Sequence, residues 1–240
     1  EGAYFNSWYQ FPRNHHLEID IIELISKDAR KKYIYLSHHD KDHIDISFLE
    51  SIKHENIIYF IPNFSKTGEM IKELVDICGI DKNKIYMFHD EEKIKIFEHE
   101  IIFYIQDSTR ESDSSIFIKS KKFNFLNTND CKIHDRLNYV TRKEGVIDLL
   151  AMQFSGASWY PVVYKHFLGN EKYANLSKNK KNMRFRAVSN AIKNNNIKNY
   201  IPSAGPPCFL DPYLFHINFE KENIFPDINE ISRFLSKNKN

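Results

Sequence analysis

The chain has 240 residues, of which 42% are hydrophobic, and its 34 basic and 32 acidic residues leave a formal net charge of +2. This length and apolar content suffice to bury a stable core, which excludes an intrinsically disordered chain. The small net charge gives no electrostatic reason to expect nucleic acid or an anionic membrane as a partner, and no apolar run approaches the roughly 20 residues that cross a bilayer.

Short apolar runs separated by polar or turn residues predict strands at 33–36, 56–61, 84–88, 101–105, 115–119, 123–126, 146–154 and 199–202. Helical periodicity predicts helices at 46–53, 66–78, 182–194 and 229–235. Strands that alternate with helices are typical of an α/β protein, and the strand-dense middle indicates antiparallel hairpins as well. Because no internal repeat and no interdomain linker is visible, we expect residues 1–240 to form a single domain.

The three cysteines, Cys78, Cys131 and Cys208, are too few and too unevenly spaced for a disulfide framework. This predicts a reducing compartment and therefore a cytoplasmic protein. No Cys-x-x-Cys pair occurs, so a thiolate zinc site has no support in the sequence.

The strongest chemical signal lies in the loop after the first predicted strand, where residues 36–45 read LSHHDKDHID. His38, Asp40, Asp42 and His43 are the candidate metal ligands, because imidazole with carboxylate suits Zn, Fe(II) or Mn(II). Charges at this density need a counter-charge, which a bound cation would supply. The alternative is a solvated turn with incidental histidines; two His and two Asp at fixed spacing after a buried strand favour the metal site.

This loop resembles the signature of the metallo-β-lactamase superfamily, strand-His-x-His-x-Asp-His. His38, Asp42 and His43 match it, and Asp40 stands where the family usually has its second His, whereas His39 is out of phase. Four further motifs resemble the lactamase-fold part of the CMP-N-acetylneuraminate hydroxylase and UDP-N-acetylmuramate hydroxylase group. They are GAYFNSW at 2–8, LNTNDC at 126–131, QFSGASWYP at 153–161 and PSAGPPCFLD at 202–211. The resemblance runs from residue 2 to about residue 226.

The resemblance implies an αββα sandwich, in which two mixed sheets pack face to face with helices outside and the metal at one sheet edge. The first strands of that fold are expected to be missing, since the resemblance begins in the loop after them. It also implies that Asp130 is a carboxylate able to bridge two metals. Asp130 again follows a buried strand, and the alternative is an Asx turn over 127–130. Asp42 and Asp130 are the expected catalytic carboxylates.

The sequence departs from the family pattern in the loop at 108–115, where relatives often carry a His and Thr109 occupies its place. Substitute ligands there would be Glu111 or Asp113, and the late-chain His216 is a third candidate. The alternative is that Asp113 and Ser114 only stabilise the turn, which is favoured for Ser114.

On the family pattern, the metal pocket made of Asp42, His43 and Asp130 is intact, whereas the other, made of His38 and Asp40, has lost its third His. We expect one tightly bound metal, and a second only if Glu111 or Asp113 compensates. The carboxylate-rich ligand set favours Fe(II), with Zn or Mn as alternatives.

A substrate pocket is predicted where polar and aromatic residues follow the strand at 146–154, because such a mixture suits a sugar or nucleotide. These residues are Gln153, Ser155, Ser158, Trp159 and Tyr160. For Trp159 a core position is an equal alternative. Arg184 and Arg186 lie on a predicted helix, where a solvated face is favoured over phosphate binding.

The favoured hypothesis is a metal-dependent hydroxylase, an oxidoreductase of monooxygenase type, acting on a nucleotide-linked amino sugar or a similar polar metabolite. The resemblance implies electrons from a Rieske [2Fe–2S] centre, which needs paired Cys and His motifs. No Cys-x-His or Cys-x-x-His occurs, so that centre is expected on a domain outside residues 1–240 or on a partner protein. The alternatives are a metallo-hydrolase of phosphodiester, ester or lactam substrates that uses metal-activated water, and a degenerate binding module without enzymatic activity.

Overall fold

The computed structural model describes residues 21–108, 111–155 and 158–238. The motif at 2–8 and Thr109 lie outside the described residues. The strands are β1 Lys32–Tyr35, β2 Ile57–Pro62, β3 Ile85–Phe88, β4 Lys93–Ile96, β5 His99–Asp107, β6 Ser112–Lys119, β7 Asn124–Asn127, β8 Ile147–Gln153 and β9 Ile197–Ser203. The helices are α1 Ile21–Lys27, α2 Ile46–Ile52, α3 Thr67–Lys72, α4 Leu137–Glu144, α5 Lys165–Leu168, α6 Asn170–Asn194 and α7 Ile228–Lys237.

All eight predicted strands are present within a few residues of their predicted bounds. Strand β4 was not predicted, because its sequence KIKI alternates lysine with isoleucine and half of it faces solvent. The predicted helix at 66–78 is α3 followed by one π-helical turn, Glu73–Ile77. Helix α6 begins twelve residues before its predicted start, since its N-terminal half buries Tyr173, Ser177 and Lys181 and so lacks an apolar stripe.

The described chain divides into two compact units. The first contains residues up to Ile94 and the segment Ile102–Ser115; the second contains Lys95–Ile101 and Ile116–Asn240. The boundary passes through β4, β5 and β6. The expectation of a single domain stays a prediction.

In the first unit, β1, β2 and β3 form a parallel sheet in that order. Central β2 has the sequence IIYFIP and buries five of its six residues, as expected for a parallel strand covered on both faces. Its Tyr59 and Ile61 are fully buried in a core that also receives Leu49 from α2 and Met70 from α3. This core anchors both ends of the loop between β1 and α2.

The second sheet has the order β4-β5-β6-β7-β8-β9. Strands β6 and β7 pair antiparallel, whereas β7, β8 and β9 pair parallel, with Leu126 opposite Leu150 and Leu150 opposite Tyr200. The mixed directions agree with the α/β fold that the sequence predicted. Because neighbouring parallel strands end at the same sheet edge, the segments after β7 and β8 lie side by side.

Candidate metal centre

Two histidines of the first unit lie together in the loop that follows β1. The ring centroids of His38 and His43 are 4.1 Å apart, and the rings are inclined by 43°. His38 is 4% exposed and His43 is partly buried. The loop holds this shape because the backbone N–H groups of His43 and Ile44 both donate to the carbonyl oxygen of Asp40, at 2.9 and 3.1 Å. Ile44 is fully buried, and the Asp45 side chain caps α2.

The Nδ1 atoms of both rings are engaged by neighbouring side chains. Ser37 Oγ lies 3.0 Å from His38 Nδ1 and 3.2 Å from His43 Nδ1. Asp113 Oδ1 lies 3.1 Å from His38 Nδ1, and Asp113 is 5% exposed. A histidine whose Nδ1 is held by a carboxylate or hydroxyl presents Nε2 in a defined direction, which is the usual arrangement behind a metal-binding imidazole.

The Nε2 atoms point toward the carboxylates of the same loop. His38 Nε2 lies 3.4 Å from Asp40 Oδ2, and His43 Nε2 lies 3.8 Å from Asp42 Oδ2. The Asp40 and Asp42 side chains are 58% and 38% exposed. The first unit therefore brings together four predicted ligands with the chemistry of a borderline divalent cation, imidazole nitrogen and carboxylate oxygen. His39 Nε2 lies 3.5 Å from Glu69 of α3, and His39 Nδ1 lies 3.6 Å from Asp40 Oδ1.

Ser37, Ser114 and Tyr35 support the histidine pair, a role that the sequence analysis predicted for none of them. Ser114 is fully buried in β6, where its Oγ donates to the Ser37 carbonyl oxygen at 2.7 Å and lies 2.8 Å from the Tyr35 hydroxyl. The Tyr35 ring packs against the rings of Phe88 and Phe103, with centroids 5.9 Å away in both cases. No sequence signal indicates this contact, because Ser114 and Ser37 are 77 residues apart.

The three substitute-ligand candidates lie in different places. Asp113 contacts His38 on its Nδ1 side, a position that orients the ring. Glu111 is exposed, and its backbone exchanges hydrogen bonds with Ser108. His216 belongs to the second unit, where its side chain is 61% exposed and lies 3.5 Å from Glu220.

Asp130 belongs to the second unit and follows β7. The Asn127 side chain accepts a hydrogen bond from the backbone of Asn129 at 3.1 Å, and Asn129 has a φ of 48°. An Asx turn, which the sequence analysis gave as the alternative to a ligand role for Asp130, is therefore present in the backbone before Asp130. The ligand role of Asp130 stays a prediction. Asp130 Oδ1 accepts a hydrogen bond from Gln153 Nε2 at the end of β8.

The predicted substrate-binding residues spread over the second unit. Gln153 holds Asp130, whereas Ser155 is fully buried. Ser158 accepts a hydrogen bond from Lys180 at 2.7 Å. Trp159 is 41% exposed and packs against a small core at Phe209 and Phe225, and Tyr160 is 46% exposed beside Tyr164. Their role in substrate binding stays a prediction.

Comparison with curated proteins finds distant relatives. The chain is 28% identical over 236 residues to a protein of Mycolicibacterium smegmatis, and 28% identical over 235 residues to proteins of two Mycobacterium tuberculosis strains. Each is provisionally named a Rieske 2Fe-2S iron-sulfur protein. The match covers 94% of this chain and 43% of each relative, so the chain spans less than half of their length. No family model matches.

Among solved structures, a variant of the β-hydroxylase CmlA matches 88% of this chain and 42% of its own, with 12% identity and a TM-score of 0.55. The metallo hydrolase Igni18 of Ignicoccus hospitalis matches 86% of this chain and 72% of its own, with 11% identity and a TM-score of 0.49. The metallo-β-lactamase fold protein YhfI of Bacillus subtilis matches 52% of this chain and 49% of its own, with 17% identity and a TM-score of 0.39.

Across 21–108, 111–155 and 158–238, no helix combines the length and apolarity that a membrane span needs. The narrower likeness to the amino-sugar hydroxylase group stays a prediction. The fold itself is confirmed as a mixed α/β fold of the metallo-β-lactamase type, with two sheets and flanking helices in the described residues.

Proposed function

We propose that this chain is the metal-binding part of a metal-dependent hydroxylase that acts on a polar metabolite. The observation that carries the proposal is the anchored histidine pair of the first unit. His38 and His43 lie 4.1 Å apart with their Nδ1 atoms held by Ser37 and Asp113. An exposed, incidental pair of histidines needs no such anchoring, whereas a ligand pair does.

The residues of the site supply two kinds of metal ligand. Because the His38 and His43 rings are 4.1 Å apart, we propose that both belong to one metal centre, in place of the two separate pockets that the family pattern implied. His38 and His43 supply imidazole nitrogen, and Asp40 and Asp42 supply carboxylate charge from the same loop. On the resemblance to the superfamily, Asp130 is proposed as a further carboxylate ligand. Fe(II) is the proposed metal, with Mn or Zn as alternatives, because the set has more carboxylate than imidazole donors. A bound iron would supply the redox chemistry of hydroxylation, which no side chain of this chain provides.

Asp113 and Ser37 act through His38 and His43 and are positioning residues. The carboxylate of Asp113 lies against His38 Nδ1 and favours the tautomer that carries its proton there, so that Nε2 keeps its lone pair for a metal. The near-complete burial of His38 and Asp113 excludes water from this contact and keeps the ring direction constant.

The relatives' names support a redox role over a hydrolytic one. Proteins that match 94% of this chain are provisionally named Rieske proteins, and a β-hydroxylase variant shares the fold. A Rieske centre is a one-electron carrier, which a hydroxylase needs and a hydrolase does not. We propose that such a centre, on a domain outside residues 1–240 or on a partner protein, donates electrons to this site. The favoured substrate class is a nucleotide-linked amino sugar, and the favoured location is the cytoplasm.

Elemental analysis after anaerobic purification tests the proposal. Wild type is compared with His38→Ala and His43→Ala, and with His54→Ala, an exposed histidine of the same unit, as the matched control. We expect about one Fe per chain in wild type and control, and loss of Fe in both site variants. Oxygen consumption with Fe(II) and a reductant is then measured in the presence of candidate metabolites. Zn near two per chain with esterase or phosphodiesterase activity would instead favour a metallo-hydrolase. If none of these proteins contained metal, the result would contradict the proposal and favour the hypothesis of a binding module without enzymatic activity.

A further inference from the structure

A recess in the second unit lies beside Asp130 and was not predicted. It opens between the segment after β7, the end of β8 and helix α6, and its volume is about 60 Å³. Its lining includes Asp130, Gln153 and Arg184, together with Lys132 and His134. Pockets that enclose a whole metabolite have volumes of roughly 300–1,000 Å³, so this recess has room for one functional group of a larger molecule.

Arg184 is the dominant cation of the recess. The sequence predicted a solvated helix face for Arg184 and Arg186; the structure confirms this for exposed Arg186, whereas Arg184 is half-buried and lines the recess. Burial lowers the pKa of the Arg184 guanidinium, and the charge of Asp130 acts in the opposite direction. Burial removes hydration water from a guanidinium that stays charged. An anion or several hydrogen-bond acceptors must then offset the cost of desolvation.

The acceptors around Arg184 are few. Within the described part of the chain, the hydrogen bond that Arg184 donates is from Nη1 to the Ser155 carbonyl oxygen, at 3.0 Å. A guanidinium has five N–H donors in a planar fork that matches a carboxylate or a phosphate. Asp130, the carboxylate of the recess, acts on Arg184 through its charge, and its Oδ1 accepts a hydrogen bond from Gln153. Arg184 therefore has more N–H donors than Ser155 and Asp130 satisfy with hydrogen bonds.

The lining of the recess carries two cationic side chains, Lys132 and Arg184, and one carboxylate, Asp130. A second carboxylate, Asp135, is outside this lining and acts on His134. Lys180 lies one helical turn before Arg184 on α6, and the charge of Arg184 adds to burial in lowering the pKa of Lys180. If Asp130 also serves a metal, as the proposed function requires, its charge is shared and the excess of positive charge grows.

We propose that this recess is an oxyanion subsite, in which Arg184 binds a phosphate or carboxylate group of the substrate and Lys132 adds long-range attraction. The subsite places the charged end of a substrate beside Asp130 and leaves the rest of the molecule outside the recess. This deepens the proposed function, because a nucleotide-linked sugar carries phosphate and an amino-sugar acid carries carboxylate.

Titration of the EDTA-treated protein with inorganic phosphate, and separately with acetate, tests the subsite without a metal. We expect at least one anion to bind with a Kd of about 1 mM, and Arg184→Met to weaken it by about tenfold or more. Arg184→Lys should give an intermediate loss, because it keeps the charge and loses the fork. Arg186→Met, two residues along the same helix and exposed, is the matched control and should bind as wild type does. Tighter binding of phosphate than acetate would identify a phosphoryl group, and the reverse order a carboxylate.

Urea unfolding of each variant separates a binding defect from a folding defect, since Arg184→Met also loses the hydrogen bond to Ser155. Absence of saturable binding at concentrations about tenfold above 1 mM would overturn the proposal. Equal weakening in Arg184→Met and Arg186→Met would overturn it as well. Metal content, measured on the same variants before EDTA treatment, reports on the proposed function separately. Loss of anion binding with metal content intact would show that the subsite variant leaves the metal centre unaffected.

Discussion

Replacing Asp113 by asparagine should weaken metal binding without unfolding the protein. In wild type, Asp113 Oδ1 lies 3.1 Å from His38 Nδ1, and the two residues are 5% and 4% exposed. Salt screens such a buried contact poorly, so the carboxylate charge acts on the imidazole at nearly full strength. Asparagine keeps the shape and one acceptor oxygen but removes the charge.

The magnitude follows from the role of a carboxylate behind a metal-binding histidine. Loss of such a partner typically costs 10–100-fold in metal affinity, or about 1.4–2.8 kcal/mol. Because the asparagine side chain would still accept a hydrogen bond, we expect about tenfold for Asp113→Asn and a larger loss for Asp113→Ala. The free energy of unfolding of the metal-free protein should change little in Asp113→Asn, because removing a buried charge also removes its desolvation cost.

The assay is anaerobic competition of the protein against a chromophoric chelator for Fe(II), with urea unfolding of the metal-free protein in parallel. Asp76→Asn, at an exposed carboxylate of the same unit, is the matched control and should bind the metal as wild type does. Unchanged affinity in Asp113→Asn would refute the orienting role of Asp113. A parallel loss of metal-free stability and affinity would show that Asp113 acts on the fold and not on the ring.

Three further predictions concern stability and titration. Ser114→Ala should lower the free energy of unfolding by about 1–3 kcal/mol in urea denaturation, because the buried Ser37 carbonyl oxygen and the partly buried Tyr35 hydroxyl both lose a hydrogen-bond partner. Phe103→Ala should cost about 3–5 kcal/mol, because this fully buried ring stacks on Phe88 with centroids 3.9 Å apart. The Lys198 hydrogen bond is the largest cause of the lowered pKa of Asp148, so Lys198→Met should raise that pKa in a carboxyl NMR titration. Because folding lowers the pKa of Asp148, ionised Asp148 stabilises the folded protein above its unfolded-state pKa. This stabilisation is lost as the pH falls through the folded-state pKa.

Controls for these predictions lie on exposed parts of the chain. Ser51→Ala and Phe167→Ala, at exposed positions, should each change stability by less than about 0.5 kcal/mol. A loss in Ser114→Ala no greater than in Ser51→Ala would contradict the buried network. An unchanged Asp148 titration in Lys198→Met would assign the shift to the backbone N–H of Asn124, which also donates to this carboxylate.

The sequence alone determined the α/β class, the approximate positions of eight strands and the ligand-rich loop. These features are local. A strand that is almost entirely buried, such as β2, is nearly all apolar. The loop residues from His38 to His43 are close in the chain, so they are brought together by the strand before them and the helix after them. The Asx turn before Asp130 is equally local, because its hydrogen bond spans two residues.

Only the tertiary structure decided which residues support and surround these ligands. Asp113 meets His38, and Ser114 meets Ser37, across more than 70 residues of chain, and no spacing rule connects them. Hydrophobic periodicity did not locate the start of α6, because the buried face of its N-terminal half includes Ser177 and Lys181. Burial of these polar residues depends on the elements packed against them. Arg184 and Arg186 are indistinguishable in the sequence, yet a rotation of about 200° around the helix places Arg184 in the recess beside Asp130 and leaves Arg186 exposed on another face. Local pattern specifies which side chains an element carries, whereas packing specifies which of them face one another.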